Sequence, residues 1–406
     1  MDIQYVFVNE DIKQKLIEDR RDFHQHPELG WLEFRATKKI AERLRELGYE
    51  VYLGEEVCDP AFCMGVPEGV TSITGVIGIL QGEKSGKKTA IRFDMDALSI
   101  QEMQTDINTS YCSQNAGVMH ACGHDGHMAV GLGLAQILSE QRDNIEGEIR
   151  LIFQPAEEGC KGSKSIVAKG WLDDLDEFYS GHIGIGCREL GQIGACMHGF
   201  LASTKLNIYF HGKAAHAANA PQEGRNALHA AADFTVKAYD FYRSCSEDVR
   251  FNVGRLVSGS GRNIIADEAY LEVETRGITS ESNLYMKKQI SKIAEAVAEN
   301  YGVTYELKTV GDVSTGKSDQ VLVDCGYRAA YDMGLGEKFI ADATFNASED
   351  VVTMMNRVQE HGGKAAYFMF GTELNAEHHN PYFDFNEEVL GIVTEFYAKL
   401  LVKNTN

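Results

Sequence analysis

Between residues 87 and 159 the chain reads strand, helix, strand, and that order constrains the fold more than any other feature. KKTAIRFDMDAL (87–98) is an apolar run that passes into a polar loop. GHDGHMAVGLGLAQILSEQ (123–141) has the spacing of a helix with an apolar face, and EGEIRLIFQPAEEG (146–159) is a second apolar run ending in acidic residues. Strands joined through a helix pair in parallel by a crossover, so a mostly parallel sheet flanked by helices is expected. In such sheets ligands bind beyond the carboxyl ends of the strands, which is where Asp94, Asp96, Glu157 and Glu158 fall. Gly131 and Gly133, inside the helix, are only a fragment of a dinucleotide fingerprint and carry no nucleotide expectation.

From about residue 203 the pattern changes. TKLNIYFHGK, FNVGRLVSG, AYLEVETRGI and VTYELKTVG read as strands, while GRNALHAAADFTVKAYDFY and SESNLYMKKQISKIAEAVAENYG read as helices. Their order is β-α-β-β-α-β, that of a ferredoxin-like α+β domain. Because 406 residues exceed what one hydrophobic core organises, two domains are expected. The first comprises 1–202 and 312–406, and the second, 203–311, is inserted into it.

Composition excludes several partners. A formal net charge of -21 sets the chain against nucleic acid and anionic membrane, by like-charge repulsion. No stretch approaches the roughly 20 apolar residues of a membrane span. The start, MDIQYVFVNEDIKQKL, lacks a basic segment followed by an apolar run, so no signal peptide is expected. Nine scattered cysteines without a CxxC pair suit a reducing compartment, and a cytoplasmic protein is expected. An anionic small substrate remains compatible, given local positive charge.

The stretch MHACGHDGHM (119–128) concentrates three histidines, a cysteine and an aspartate around two glycines. Metal sites are recognised by convergence, and three further segments place ligand types beside Gly or Pro after apolar runs: QPAEEG (154–159), YSGHIG (180–185) and AEHHNPYFDF (376–385). Imidazole and carboxylate bind zinc, manganese or cobalt, and a thiolate shifts preference toward the softer ions. Two such ions can polarise a carbonyl and acidify a water, provided a carboxylate outside the ligand set takes the proton and returns it to a leaving amine. Adjacent glutamates can divide those tasks. Hydrolysis of an amide is the chemistry implied.

RRDFHQHPELGWLEFRAT (20–37), FDMDAL (93–98), MHACGHDGH (119–127), QPAEEG, GKAAHA (212–217), ASED (347–350) and HHNPYFDF (378–385) together resemble the M20 family of metallopeptidases and aminoacylases, over nearly the whole chain. The likeness is to the branch that cleaves N-acyl amino acids. It implies metal ligands at Cys122, His124, Glu158, His182 and a histidine of the HHN run. His379, two residues before Pro381, is chosen over His378. It implies Glu157 as general base, His216 as a donor to the tetrahedral oxyanion, and Asn263 and Arg276 as contacts to the substrate's amide oxygen or carboxylate; an arginine fork pairs well with a carboxylate. Asp94, Asp96, His120 and His127 are expected to support ligands rather than to be ligands. SGSGRNIIADEA departs from the family in having Ile-Ile-Ala after the asparagine, which bears on the loop around Asn263.

The resemblance further implies a catalytic metallohydrolase domain, an inserted lid and dimerisation domain, and two divalent ions in each protomer. Likeness within the branch favours manganese, whereas the softness of a thiolate favours zinc. The substrate implied is a small anionic N-acyl amino acid, with an aromatic acyl group joined to glutamate first, and hippurate-like, indoleacetyl or aliphatic N-acyl amino acids as rivals. The assembly implied is a homodimer through the lid or a heterodimer with a related chain. A non-catalytic partner chain that keeps the fold is the reading of a different class, and Glu157 beside the ligands argues against it.

Overall fold

The structure, a computed structural model, describes residues 3–245 and 248–402. The chain divides into two compact units. One comprises Met1–Gly199, Gly316–Asn346 and Asp350–Asn406; the other comprises Phe200–Thr315 and Ala347–Glu349.

The first unit begins with α1 (Glu10–Gln25) and α2 (Phe34–Glu46), followed by β1 (Glu50–Leu53), β2 (Val76–Gln81), β3 (Lys84–Asp94), α3 (His124–Glu140), β4 (Glu146–Gln154), α4 (Ser163–Ala168), β5 (Glu177–Ile183) and β6 (Ile193–Phe200). Its eight-stranded sheet has the order β1-β2-β4-β3-β5-β12-β6-β11, completed by β11 (Phe339–Ala347) and β12 (Lys364–Phe370), which follow the second unit. The centre, β4-β3-β5-β12, is parallel, while β2 joins β4 and β6 joins β12 antiparallel. Buried on both faces, the central strands have the near-continuous apolar character of Ala90–Phe93 and Ile149–Phe153.

Helix α3 is buried nearly all round. Its Gly131 and Gly133 have a packing reason, not a nucleotide one. A Cβ on Gly131 would lie 2.6 Å from the Phe153 ring, and one on Gly133 would lie 2.6 Å from Leu16 of α1.

The second unit contains β7 (Ala202–His211), α5 (Ala227–Arg243), β8 (Val249–Ser258), β9 (Glu268–Gly277), α6 (Ser280–Tyr301) and β10 (Thr304–Val313). Its four strands form an antiparallel sheet of order β10-β7-β9-β8, the ferredoxin-like arrangement. Alternate residues Leu206, Ile208, Phe210 of β7 and Leu271, Val273 of β9 face a core closed by Phe234 of α5 and Met286 and Ile290 of α6. Thr279 caps α6 by accepting from Ser282 N–H, and Gly302 (φ 63°) ends it in the left-handed conformation that glycine adopts freely.

The chain then returns to the first unit through α7 (Gln320–Asp332), β11 (Phe339–Ala347), α8 (Val351–Glu360), β12 (Lys364–Phe370) and α9 (Glu388–Leu401). Fold class is as the sequence predicts: a large sheet with a parallel centre flanked by helices, and a separate antiparallel α+β unit. Among the described residues no helix is long and apolar enough to cross a membrane.

Candidate metal centre

Each segment predicted to supply a ligand lies at or after the carboxyl end of a central parallel strand. Cys122 and His124 come after β3, Glu157 and Glu158 after β4, His182 near the end of β5, and His379 after β12. Gly123 (φ 91°) separates Cys122 from His124, which opens α3; this left-handed residue turns the chain sharply enough for both side chains to serve one cluster.

The ligand atoms of Cys122, His124 and His182 lie within 4.8 Å of one another, as do those of Cys122, Glu158 and His379. Cys122 belongs to both groups, so its sulfur can be shared between two ions. His124, Glu157 and Glu158 form a third such group, which places the expected base beside the ligands. Cys122 Sγ stands 3.4 Å from His182 Nε2, and His379 Nε2 stands 3.3 Å from Glu158 Oε1.

Backbone carbonyls set the histidine tautomers. His182 Nδ1–H donates to Ile183 O (2.8 Å) and His124 Nδ1–H donates to Asp96 O (2.8 Å), so both rings turn an Nε2 lone pair toward the cluster. His124 Nε2 is buried without a hydrogen-bond partner. Against the cost of burial, Asp94 and Cys122 hold His124 well above the ordinary histidine range, so its unpartnered Nε2 lies where positive charge is favoured, which fits a divalent cation. Burial, with His127 and His378 nearby, holds His182 well below the ordinary histidine range, hence neutral. His379 is pushed up to about 10 by its hydrogen bonds with Cys122 and Glu158, so the cluster draws positive charge into itself.

The pair His378 and His379 separates clearly. His379 has φ 63°, and this left-handed backbone swings it into the group with Cys122 and Glu158. His378 Nε2–H instead donates to Ile183 O at 3.1 Å, and burial pushes its pKa down to about 4. His127 is fully engaged: Nδ1 meets Asp94 Oδ1 at 2.5 Å and Nε2 accepts from Ile183 N–H at 3.1 Å. Burial pushes the pKa of His120 down to about 3, so it too is neutral.

The turn bearing Glu157 and Glu158 carries features no residue pattern announced. Ala156 (φ 53°) and Cys160 (φ 59°) occupy the left-handed region without being glycine. Three buried carboxyl groups hold this strained turn. Glu33 accepts from Ala156 N–H (2.8 Å), and Asp96 accepts from Glu157 N–H (3.0 Å) and Glu158 N–H (2.9 Å), one on each oxygen. Asp350 accepts from Gly162 N–H (3.2 Å) and Ser163 N–H (2.9 Å). Asp96 therefore supports His124 through its carbonyl and the two glutamates through its carboxylate. The RRDFHQHPELGWLEFRAT, FDMDAL and ASED runs contain all three residues, and that is the signal from which they could have been found.

The remaining predicted residues lie in the second unit. His216 pairs with Ile264 in an isolated bridge, and Ala217 N–H donates to Asn263 O at 3.0 Å, so the GKAAHA and SGSGRNI loops run side by side with both residues exposed. His216 Nδ1 accepts from Ala218 and Asn219 N–H, each at 3.2 Å, which leaves Nε2–H as the outward donor. Arg276 of β9 forms an ion pair with Glu274 at 3.0 Å.

Fold and cluster together define a hydrolase with a metal-binding centre built at the ends of parallel strands. The family model for peptidase family M20/M25/M40 matches residues 90–403, and the chain belongs to that family. It is 39% identical to an indole-3-acetyl-aspartic acid hydrolase of Enterobacter agglomerans, over 96% of this chain and 97% of that protein. It is likewise 39% identical to one of the named subunits of p-aminobenzoyl-glutamate hydrolase of Escherichia coli, over 97% and 96%. Among solved structures, an aminobenzoyl-glutamate utilization protein of Klebsiella pneumoniae superposes with TM-score 0.80 at 32% identity, covering 98% of both chains. A dinuclear metal-binding M20 peptidase of Bacillus subtilis superposes with TM-score 0.71 at 26% identity, covering 97% of this chain and 98% of that one.

Proposed function

We propose that this enzyme hydrolyses the amide of an N-acyl amino acid, with p-aminobenzoyl-glutamate, giving p-aminobenzoate and glutamate, as its first substrate. The observation that carries the reading is the pair of ligand groups sharing Cys122, with Glu157 next to them. Cys122, His124 and His182 would hold one divalent ion, and Cys122, Glu158 and His379 a second. Such ions supply Lewis-acid polarisation of a carbonyl and acidify water.

The chain's own residues do the rest. Glu157, in the turn pinned by Asp96, takes a proton from the attacking water and returns it to the leaving amine nitrogen. The outward Nε2–H of His216 suits donation to the tetrahedral oxyanion. Asn263, beside His216, is assigned to the substrate's amide oxygen, and Arg276 to its carboxylate, for which it must exchange its contact with Glu274. The residues of 1–202 and 312–406 form the catalytic domain in this reading, and 203–311 forms the lid.

A rival substrate has equal support in identity, since the Enterobacter agglomerans relative is named for indole-3-acetyl-aspartate. Turnover of p-aminobenzoyl-glutamate, indoleacetyl-aspartate, hippurate and an aliphatic N-acyl amino acid by the purified chain, with and without Mn²⁺ or Zn²⁺, decides between them. No turnover of any would refute the amidase reading. Manganese is our choice of native metal, checked by elemental analysis of protein purified without added metal.

The Escherichia coli relative is named as one subunit of its hydrolase, which supports a partner chain here. Strand β8, at the edge of its sheet with Leu256 and Val257 exposed, suits the lid as the docking surface. Nine free cysteines suit a reducing, cytoplasmic setting.

A further inference from the structure

The RRDFHQHPELG run contributes no member of either ligand group, yet it contains Arg20, whose side chain is wholly buried in α1. Its guanidinium reaches three carboxylates. Nε donates to Asp125 Oδ2 at 2.8 Å, Nη2 to Asp384 Oδ1 at 2.7 Å, and Nη1 to Glu387 Oε1 at 3.2 Å. The plane also lies over the Phe385 ring, 4.5 Å from its centroid. Asp125 directly follows ligand His124 in the first turn of α3, and Asp384 and Phe385 belong to the run that carries His379. One buried cation thus ties together the two segments that bring His124 and His379 to the cluster.

The partners are themselves held in place. Asp125 Oδ2 also meets His24 Nδ1 at 2.8 Å, and His24 Nε2 meets Glu102 at 3.0 Å. Tyr111 O–H donates to Asp384 Oδ2 at 2.7 Å. Among the described residues no hydrogen-bonded strand pair joins the two ligand segments. One backbone bond, His379 N–H to Ala121 O at 2.8 Å, and the packing of Phe385 against Gly126 bring them together, and the common arginine braces the pair. A fork with donors on three sides can hold that spacing, whereas a lysine ammonium is a point charge on a flexible stem.

We propose that Arg20 is a positioning residue for the metal centre: by clasping Asp125 and Asp384 it sets the separation of the His124 and His379 segments, and hence the affinity for the ions. This rests on the metal reading above. Partners hydrogen-bonded directly to ligands are typically worth about 10- to 100-fold in metal affinity, and Arg20, which acts through Asp125 and Asp384, is expected at the lower end of that range.

The test is titration of the chelator-stripped full-length protein with Mn²⁺ by calorimetry, paralleled by the Mn²⁺ concentration that half-protects Cys122 from alkylation. Arg20→Lys should bind Mn²⁺ about 10-fold more weakly at one site or both, and need correspondingly more ion to shield Cys122. A folded Arg20→Lys protein of lowered melting temperature but wild-type Mn²⁺ affinity would make Arg20 a fold stabiliser only, and would overturn the proposal. Should Arg20→Lys not fold, Asp384→Asn, which keeps shape and removes one charged contact, undergoes the same titration, and wild-type affinity there overturns the proposal equally. If the wild-type protein itself binds neither Mn²⁺ nor Zn²⁺, the metal reading falls and this inference with it. Loss confined to the variants is the result that supports it.

Discussion

Replacing Asp96 by Asn tests how the catalytic turn is held, and its size can be worked from the structure. Asp96 is 1% exposed, and its two oxygens each accept one backbone N–H, from Glu157 at 3.0 Å and Glu158 at 2.9 Å. An asparagine of the same shape retains one acceptor and turns an NH₂ toward the other N–H. One buried donor is then unpaired, at about 1–3 kcal/mol. The turn has little reserve to absorb this, because Ala156 at φ 53° already carries strain of about 1–3 kcal/mol. If the whole penalty is expressed as displacement of Glu157 from its working position, kcat falls roughly 5- to 150-fold, at 1.36 kcal/mol per tenfold. The His124 bond to the Asp96 carbonyl involves main chain only and should survive. The assay is kcat on p-aminobenzoyl-glutamate, with metal content by elemental analysis and a denaturant midpoint on the same preparations. A kcat within twofold of wild type at full metal content would refute the reasoning, and so would a loss of activity fully accounted for by lost metal.

Glu157→Gln should retain both ions and lower kcat by about 10²–10⁴, whereas Glu158→Gln should first lose metal, seen by elemental analysis. Cys122 should resist alkylation in metal-loaded protein and react after chelation; equal labelling in both states would remove it from the ligand set. Burial and the neighbouring Asp96 push Glu33 up to about 8, so the folded state keeps a proton that the unfolded chain releases near its ordinary 4.5. Wild-type stability should therefore decline from pH 5 to pH 8. Glu33→Gln, which can still accept from Ala156 N–H and now donate to Thr74, should lack that part of the decline in denaturant melts. His216→Ala should cost about 10²–10³ in kcat without metal loss. Co-folded Glu157→Ala and His216→Ala chains regain activity only if His216 serves a neighbouring protomer's site.

What the sequence determined by itself is what depends on near neighbours in the chain. Periodicity is local, so the strand, helix, strand run of 87–159 and the β-α-β-β-α-β order from 203 could be read directly, and both correspond to elements of the structure. The ligand types were legible for the same reason: Cys122 and His124 flank one glycine, and Glu157 adjoins Glu158. Tertiary structure decided which atoms of distant segments meet. Whether His378 or His379 turns inward depends on a left-handed backbone at His379 and on the Ile183 carbonyl that occupies His378; the spacing before Pro381 favours His379 only by resemblance and announces neither cause. Asp96 reads in sequence only as a strand-end residue expected to support a ligand, and Arg20 as an ordinary polar residue of a helix. Only burial, which removes water and makes each carboxylate and guanidinium find its partners within the protein, turns one into the clamp on the Glu157 turn and the other into the tie between α3 and the His379 loop.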